Sequence, residues 1–95
     1  MPAYVILTRE KTRNQAELDT YNQMAPGGFA GHAATFLVVH GRHEVLEGPA
    51  AEDVMMVSFP TFEEATAWHD SPSYREACRH RFQGGDFRCI VVQGV

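Results

Sequence analysis

The sequence predicts an α+β domain in which the order βαββαβ lays helices on one face of an antiparallel sheet. Two observations carry that prediction. Four apolar runs, Ala3 to Leu7, Thr35 to Val39, Val54 to Phe59 and Phe87 to Val92, have the length and composition of strands. Between them lie segments with apolar residues at helical spacing behind capping residues. A third observation concerns assembly. Read as strands, the runs are apolar on both faces, since Ala3, Val5 and Leu7 point one way while Tyr4 and Ile6 point the other. Two helices can cover one face of a small sheet, so the other face calls for a second copy of the chain.

The first strand ends in Arg9-Glu10-Lys11, after which Thr12 and Gln15 form a capping box for a helix over 14–24. Leu18, Tyr21 and Ala25 give it one apolar stripe, and Pro26-Gly27-Gly28 stops it. A Gly- and Ala-rich connection, 29–34, leads to the second strand, where Gly41 predicts a bulge or bend before the strand resumes over 43–46. Glu47-Gly48-Pro49 then turns the chain into the third strand, a hairpin with a long loop. Beyond Pro60, Thr61 and Glu64 form a second capping box, with Phe62, Ala65, Trp68 and His69 at helical spacing. Ser71-Pro72 breaks this helix and starts another segment running to about Phe82, because serine suits the N-cap and proline the first helical position. Gly84-Gly85 hands over to the last strand.

With 95 residues, 44% of them hydrophobic and 21% charged, the chain reads as one domain spanning 1–95. A chain of this size buries only about 60 to 65% of its unfolded surface, so association would add useful burial. The net charge of −4 and the single lysine argue against a nucleic-acid partner, which would need clustered cations. No apolar stretch is long enough to span a bilayer and the N-terminus begins a strand, so the chain is read as soluble, without a membrane partner, and cytoplasmic. Cys78 and Cys89 lack metal or redox spacing and are expected as reduced thiols.

Several motifs occur in a consistent order: Pro2-Ala3-Tyr4-Val5-Ile6, Val45-Leu46-Glu47-Gly48, Phe59-Pro60-Thr61-Phe62-Glu63-Glu64-Ala65, Ala67-Trp68, Ser71-Pro72 with Tyr74, and Val91-Val92 with Gly94-Val95. Together they resemble the small bacterial proteins grouped as domain of unknown function family 1330, over nearly the whole chain. The resemblance implies a ferredoxin-like fold whose protomers pair face to face as a dimeric α+β barrel, and an arginine at position 81. His69 stands where the pattern usually has an aromatic residue, and His40-Gly41-Arg42-His43 departs from its basic or Gly-rich stretch.

Among residues able to carry chemistry, His69 shares the stripe of Phe62 and Ala65 and could act as acid or base near neutral pH, or as a half-buried histidine bonded to backbone. Tyr21 and Arg81 could reach the space between sheet and helices, where a phenol and a guanidinium would orient a carbonyl or carboxylate. Trp68 and Tyr74 flank the helix break and are expected to pack on the sheet with their polar tips bonded locally, with a ligand as the alternative partner. His32 beside flexible glycines could gate a pocket. Glu47 at the hairpin turn could be a base or simply accept backbone N–H groups. His40 is a candidate ligand contact, but His40 and His43 are three apart on an extended segment and point to opposite faces, so no metal site is expected. No phosphate-cradling glycine pattern or nucleophile elbow is present, and no cofactor is expected.

The function expected is therefore a small dimeric, cofactor-free enzyme acting on a hydrophobic or aromatic carbonyl compound by proton transfer, rearrangement or oxygenation, with His69, Tyr21 and Arg81 as its catalytic groups. Dimeric α+β barrels implied by the resemblance include monooxygenases, isomerases and decarboxylases. The alternative is a non-catalytic protein that binds a small ligand or a partner through the same pocket. In either case the homodimer forms through the open face of the sheet.

Overall fold

In the computed structural model, which describes residues 1–95, the chain runs β1 (Ala3–Thr12), α1 (Gln15–Met24), a 3-10 turn (Ala25–Phe29), β2 (Thr35–Val39), β3 (Asp53–Phe59), α2 (Phe62–Asp70), α3 (Pro72–Gly84) and β4 (Gly85–Gln93). The strands form one antiparallel sheet in the order β2-β3-β1-β4, with β1 and β3 central and β2 and β4 at the edges. Two interlocked β-α-β halves with all helices on one face make this the predicted α+β, ferredoxin-like fold.

Alternation along the strands divides the side chains between two faces. Ala3, Val5 and Leu7 of β1 and Val57 and Phe59 of β3 are buried beneath the helices. They meet Leu18 and Tyr21 of α1, Ala65 and Trp68 of α2, and Tyr74 and Ala77 of α3, all buried. Complete burial of a side chain such as Leu18, Val5 or Phe59 contributes about 1.5–3 kcal/mol each. The opposite face keeps an apolar row that crosses all four strands, because Ile90 pairs with Ile6, Ile6 with Met56, and Met56 with Val38. Tyr4 and Val92 form a second pair beside it. No helix of this chain covers that face.

The helix boundaries follow local chemistry. The Thr61 hydroxyl accepts the Glu64 N–H at 3.1 Å, as the second capping box predicts. Ser71 ends α2 and precedes α3, and its hydroxyl donates back to the Trp68 carbonyl at 2.7 Å. The first capping box is corrected: Asn14, not Thr12, caps α1, its side-chain oxygen accepting from the Glu17 N–H at 3.4 Å. Thr12 is held in the sheet by pairing with Gly85, and its hydroxyl donates to Glu52.

Close packing explains the glycine pair at the junction of α3 and β4. A Cβ on Gly84 would lie 2.5 Å from Leu18 Cδ2, so only glycine lets α1 approach this closely. The Gly84 carbonyl then accepts the Arg13 and Asn14 N–H groups at 2.7 and 3.0 Å. Arg13 clamps the same corner through the Asp86 carboxylate and the Phe82 carbonyl.

The hairpin loop differs from expectation. Residues 43–46 do not resume a strand, because the His43 ring faces the Gly41 and Ala51 carbonyls and holds the loop in an irregular course. The β2 irregularity falls between Phe36 and Val38 instead of at Gly41, leaving Leu37 as the extra residue. Ahead of β2, the Pro26-Gly27-Gly28 stop forms the 3-10 turn, which lays Phe29 against Trp68 with ring centroids 5.0 Å apart.

Candidate functional site

Between the inner sheet face and the helices lies a cavity of about 480 Å³, large enough for a small organic molecule. Its walls are mainly apolar, with Val5 and Leu7 of β1, Phe36 of β2, Met55 of β3, and the rings of Phe29 and Trp68. Polar side chains also line it: Tyr21 and Tyr74, which are buried, and Arg9, Asn22, His40 and Asp53.

The two tyrosines face each other from α1 and α3 with their hydroxyl oxygens 2.7 Å apart. Two hydroxyls carry two protons and one hydrogen bond consumes one of them, so the accepting phenol keeps a proton free to donate elsewhere. Burial pushes both phenols above the ordinary tyrosine range, Tyr74 further than Tyr21; the Tyr74 hydrogen bond and the nearby Arg81 cation oppose the rise at Tyr21. Either hydroxyl can be the donor in this pair; Tyr74 is wholly buried and Tyr21 slightly exposed. The Trp68 indole Nε1–H is buried without a protein partner.

Arg81 lies in the wall behind Tyr21. It is 2% exposed and has no carboxylate in reach. Its guanidinium sits 5.8 Å from the Tyr21 ring centroid, 5.1 Å from Phe87 and 5.0 Å from Phe82, and its Nη2 donates weakly to Cys78 Sγ at 3.6 Å. Its Nε–H has no partner. Stacking among aromatic faces offsets part of the cost of burying this cation, and the remaining charge biases the space around Tyr21 toward negative groups.

The structure gathers Tyr21, Tyr74, Trp68 and His40 around one cavity, with Arg81 backing it. His69 is not among them. It packs on the outer side of Trp68 and Tyr74, ring centroids 6.2 and 5.9 Å away, and opens onto a separate polar groove beside Asp70 and Arg79. The helical stripe on α2 is centred on Ala65 and Trp68; one further residue turns His69 away from the sheet. His32 is half-buried after the 3-10 turn and Glu47 is exposed in the hairpin loop; neither lines the cavity. The polar tip of Tyr74 bonds across to α1, not locally.

Sequence reasoning missed Asp53, whose carboxylate accepts from His40 Nδ1 at 2.5 Å, and Arg9, which lines the wall while its Nε pairs with Glu52 at 3.2 Å. Alternation from Leu7 would have placed Arg9 on the inner face. His43 takes different partners from His40: its ring nitrogens face the Ala51 and Gly41 carbonyls, which raise its pKa above the ordinary histidine value. No cluster of three or more His, Cys, Asp or Glu side chains is positioned to hold a metal ion. Cys78 and Cys89 are free thiols, and burial pushes the Cys89 thiol up. No helix is long and apolar enough to cross a membrane.

The chain belongs to the family described as domain of unknown function 1330, matching it over residues 2–95. No protein of curated function matches it. Among solved structures it is similar to a protein of unknown function from Rhodopseudomonas palustris, with TM-score 0.70 and 20% identity over 99% of this chain and 82% of that one. A dimeric protein of unknown function and ferredoxin-like fold from Bacteroides fragilis gives TM-score 0.63 and 8% identity, covering 98% of this chain and 96% of the other. SnoaB, a cofactor-independent oxygenase from Streptomyces nogalater, gives TM-score 0.61 and 10% identity over 99% and 92% of the two chains. At these identities the likeness is one of fold.

Proposed function

We propose that this protein is a cofactor-free enzyme that binds a small hydrophobic or aromatic carbonyl compound between its sheet and helices. The observation that carries the reading is the buried tyrosine pair, whose spare proton serves a cavity with mainly apolar walls. A carbonyl oxygen is the complementary acceptor. Tyr21 donates to it, and charge that develops on the oxygen during proton transfer is stabilised by this hydrogen bond and by the Arg81 cation behind it. The flat rings of Phe29 and Trp68 favour an aromatic or similarly planar ligand. His69 contributes from outside, as a positioning residue against Trp68 and Tyr74. SnoaB, whose fold is similar, supports chemistry without a cofactor on this scaffold.

The protein acts as a homodimer formed through the outer sheet face. The row Ile90, Ile6, Met56 and Val38 gives each copy an apolar surface of the kind that two-fold pairing buries on both copies at once. The Bacteroides fragilis protein, similar in fold, is itself dimeric.

Trp68 is the only tryptophan, so its fluorescence reports directly on the cavity. β-Tetralone, an aromatic ketone of suitable size, should quench it saturably, whereas tetralin, the same skeleton without the carbonyl, should bind at least about tenfold more weakly for loss of one buried hydrogen bond. Tyr21→Phe should remove most of that difference. Equal affinities for the ketone and the hydrocarbon would remove the role assigned to the tyrosine pair, and binding with no conversion of any carbonyl compound would favour the non-catalytic alternative.

A further inference from the structure

His40 and Asp53 lie in the cavity wall with His40 Nδ1 2.5 Å from Asp53 Oδ2. The Asp53 side chain is 16% exposed and the His40 side chain 57% exposed, an arrangement in which the carboxylate is sheltered and the imidazole reaches outward from it. His40 is the one non-glycine residue with a positive φ, 54°. Its predecessor Val39 pairs with Met55 and lines the cavity, so an extended His40 would project from the opposite face of the sheet. The left-handed backbone turns the side chain back to the face that carries Asp53. Such a conformation is disfavoured for any residue with a Cβ, and strained positions of this kind concentrate at functional sites.

Asp53 is left available for this contact. Its register partner on β1 is Arg9, whose ion pair is with Glu52, 3.2 Å from Nε, and not with Asp53. In the neutral imidazole, donation from Nδ1–H to this carboxylate leaves the lone pair on Nε2, which has no partner in the protein.

We propose that His40 and Asp53 form an acid–base dyad in which His40 Nε2 removes and returns a proton on the carbon next to the carbonyl of a bound ligand. This rests on the carbonyl-binding role given above to Tyr21. The Nε2 lone pair forms an N–H bond as the ligand C–H bond breaks. The C–H electron pair becomes the enolate double bond, and the carbonyl π pair moves onto the oxygen held by Tyr21. Asp53 stabilises the imidazolium, and the same proton, or one exchanged with solvent, returns to carbon. No oxidant or other co-reactant is required. The substrate class is narrowed to carbonyl compounds bearing an acidic C–H beside the carbonyl.

The test measures deuterium incorporation by NMR at the benzylic methylene of β-tetralone in buffered deuterium oxide, with probe binding followed in parallel through Trp68 fluorescence. The native chain should accelerate exchange above the buffer rate. His40→Asn, a residue that tolerates the left-handed backbone, should lower the saturated rate by at least about 100-fold while leaving the probe Kd within about twofold. Asp53→Asn should lower the saturated rate by at least about tenfold, again without loss of binding, a split that a merely structural role would not give. His43→Gln, in the same loop, should exchange as the native protein does.

Exchange undiminished in His40→Asn would overturn the dyad and leave the carbonyl site standing. Binding by the native protein without accelerated exchange would do the same. Failure of the native protein to bind the probe would overturn the carbonyl site, and the dyad with it.

Discussion

Substituting Ile6→Glu places a carboxylate at the centre of the outer sheet face. Ile6 pairs with Met56 on one side and Ile90 on the other, within the apolar row that ends at Val38, and it is only partly covered in the single chain. In a monomer the glutamate keeps its water and the helix-covered core is untouched, so the fold should persist. In a face-to-face pair each new carboxylate is driven into an apolar interface at a cost of several kcal/mol unless it is protonated. Each copy also forfeits roughly 1 kcal/mol of isoleucine burial, half of what full burial would give. Summed over two copies the penalty is at least about 5 kcal/mol, which weakens the dimer about 10³- to 10⁴-fold. Sedimentation velocity through the micromolar range should find the native protein dimeric and Ile6→Glu monomeric, with unchanged far-UV circular dichroism. Ala67→Glu, on the exposed side of α2, should remain dimeric. A monomeric native protein, or an Ile6→Glu variant that dimerises with native affinity, would refute the reasoning.

Three further outcomes follow from the packing. Because both tyrosine pKa values are raised in the folded state, the stability they contribute is fully present below pH 10 and declines as pH rises above it; denaturant titrations between neutral and alkaline pH should show that decline and Tyr74→Phe should reduce it, and a flat profile would count against the buried pair. Gly84→Ala forces a methyl group against Leu18, where the Cβ would lie 2.5 Å from Cδ2, and should destabilise by about 1–3 kcal/mol, seen as a lowered Tm by circular dichroism. Thr61→Ala removes the acceptor for the Glu64 N–H and should cost about 1 kcal/mol in the same assay, whereas Thr12→Ala should not affect helix capping.

What the sequence disclosed was mostly short-ranged chemistry. The Thr61 cap, the Ser71-Pro72 break, the buried Leu18 and Tyr21 stripe and the two-faced strands all depend on neighbours within a turn or on simple alternation, and each is read directly from spacing. Thr12 misled because its pairing with Gly85, across the length of the fold, takes precedence over its local capping preference. The site was less legible. Tyr21 and Tyr74 are fifty-three positions apart, and nothing local shows that their hydroxyls meet. Spacing along the chain sets His40 beside its near neighbour His43, while its partner Asp53 lies thirteen residues on and is reached only through a left-handed backbone that spacing cannot reveal. His69 drew attention through a helical periodicity whose buried centre is one residue earlier, at Trp68.

If the tyrosine pair offers a hydrogen bond to a carbonyl ligand in the cavity, a crystal of the protein soaked with β-tetralone should show it. The ring system should lie against Phe29 and Trp68 with the ketone oxygen within about 2.5–3.0 Å of the Tyr21 hydroxyl. A ligand bound elsewhere, or seated in the cavity with its oxygen turned away from Tyr21 and toward no other donor, would contradict it.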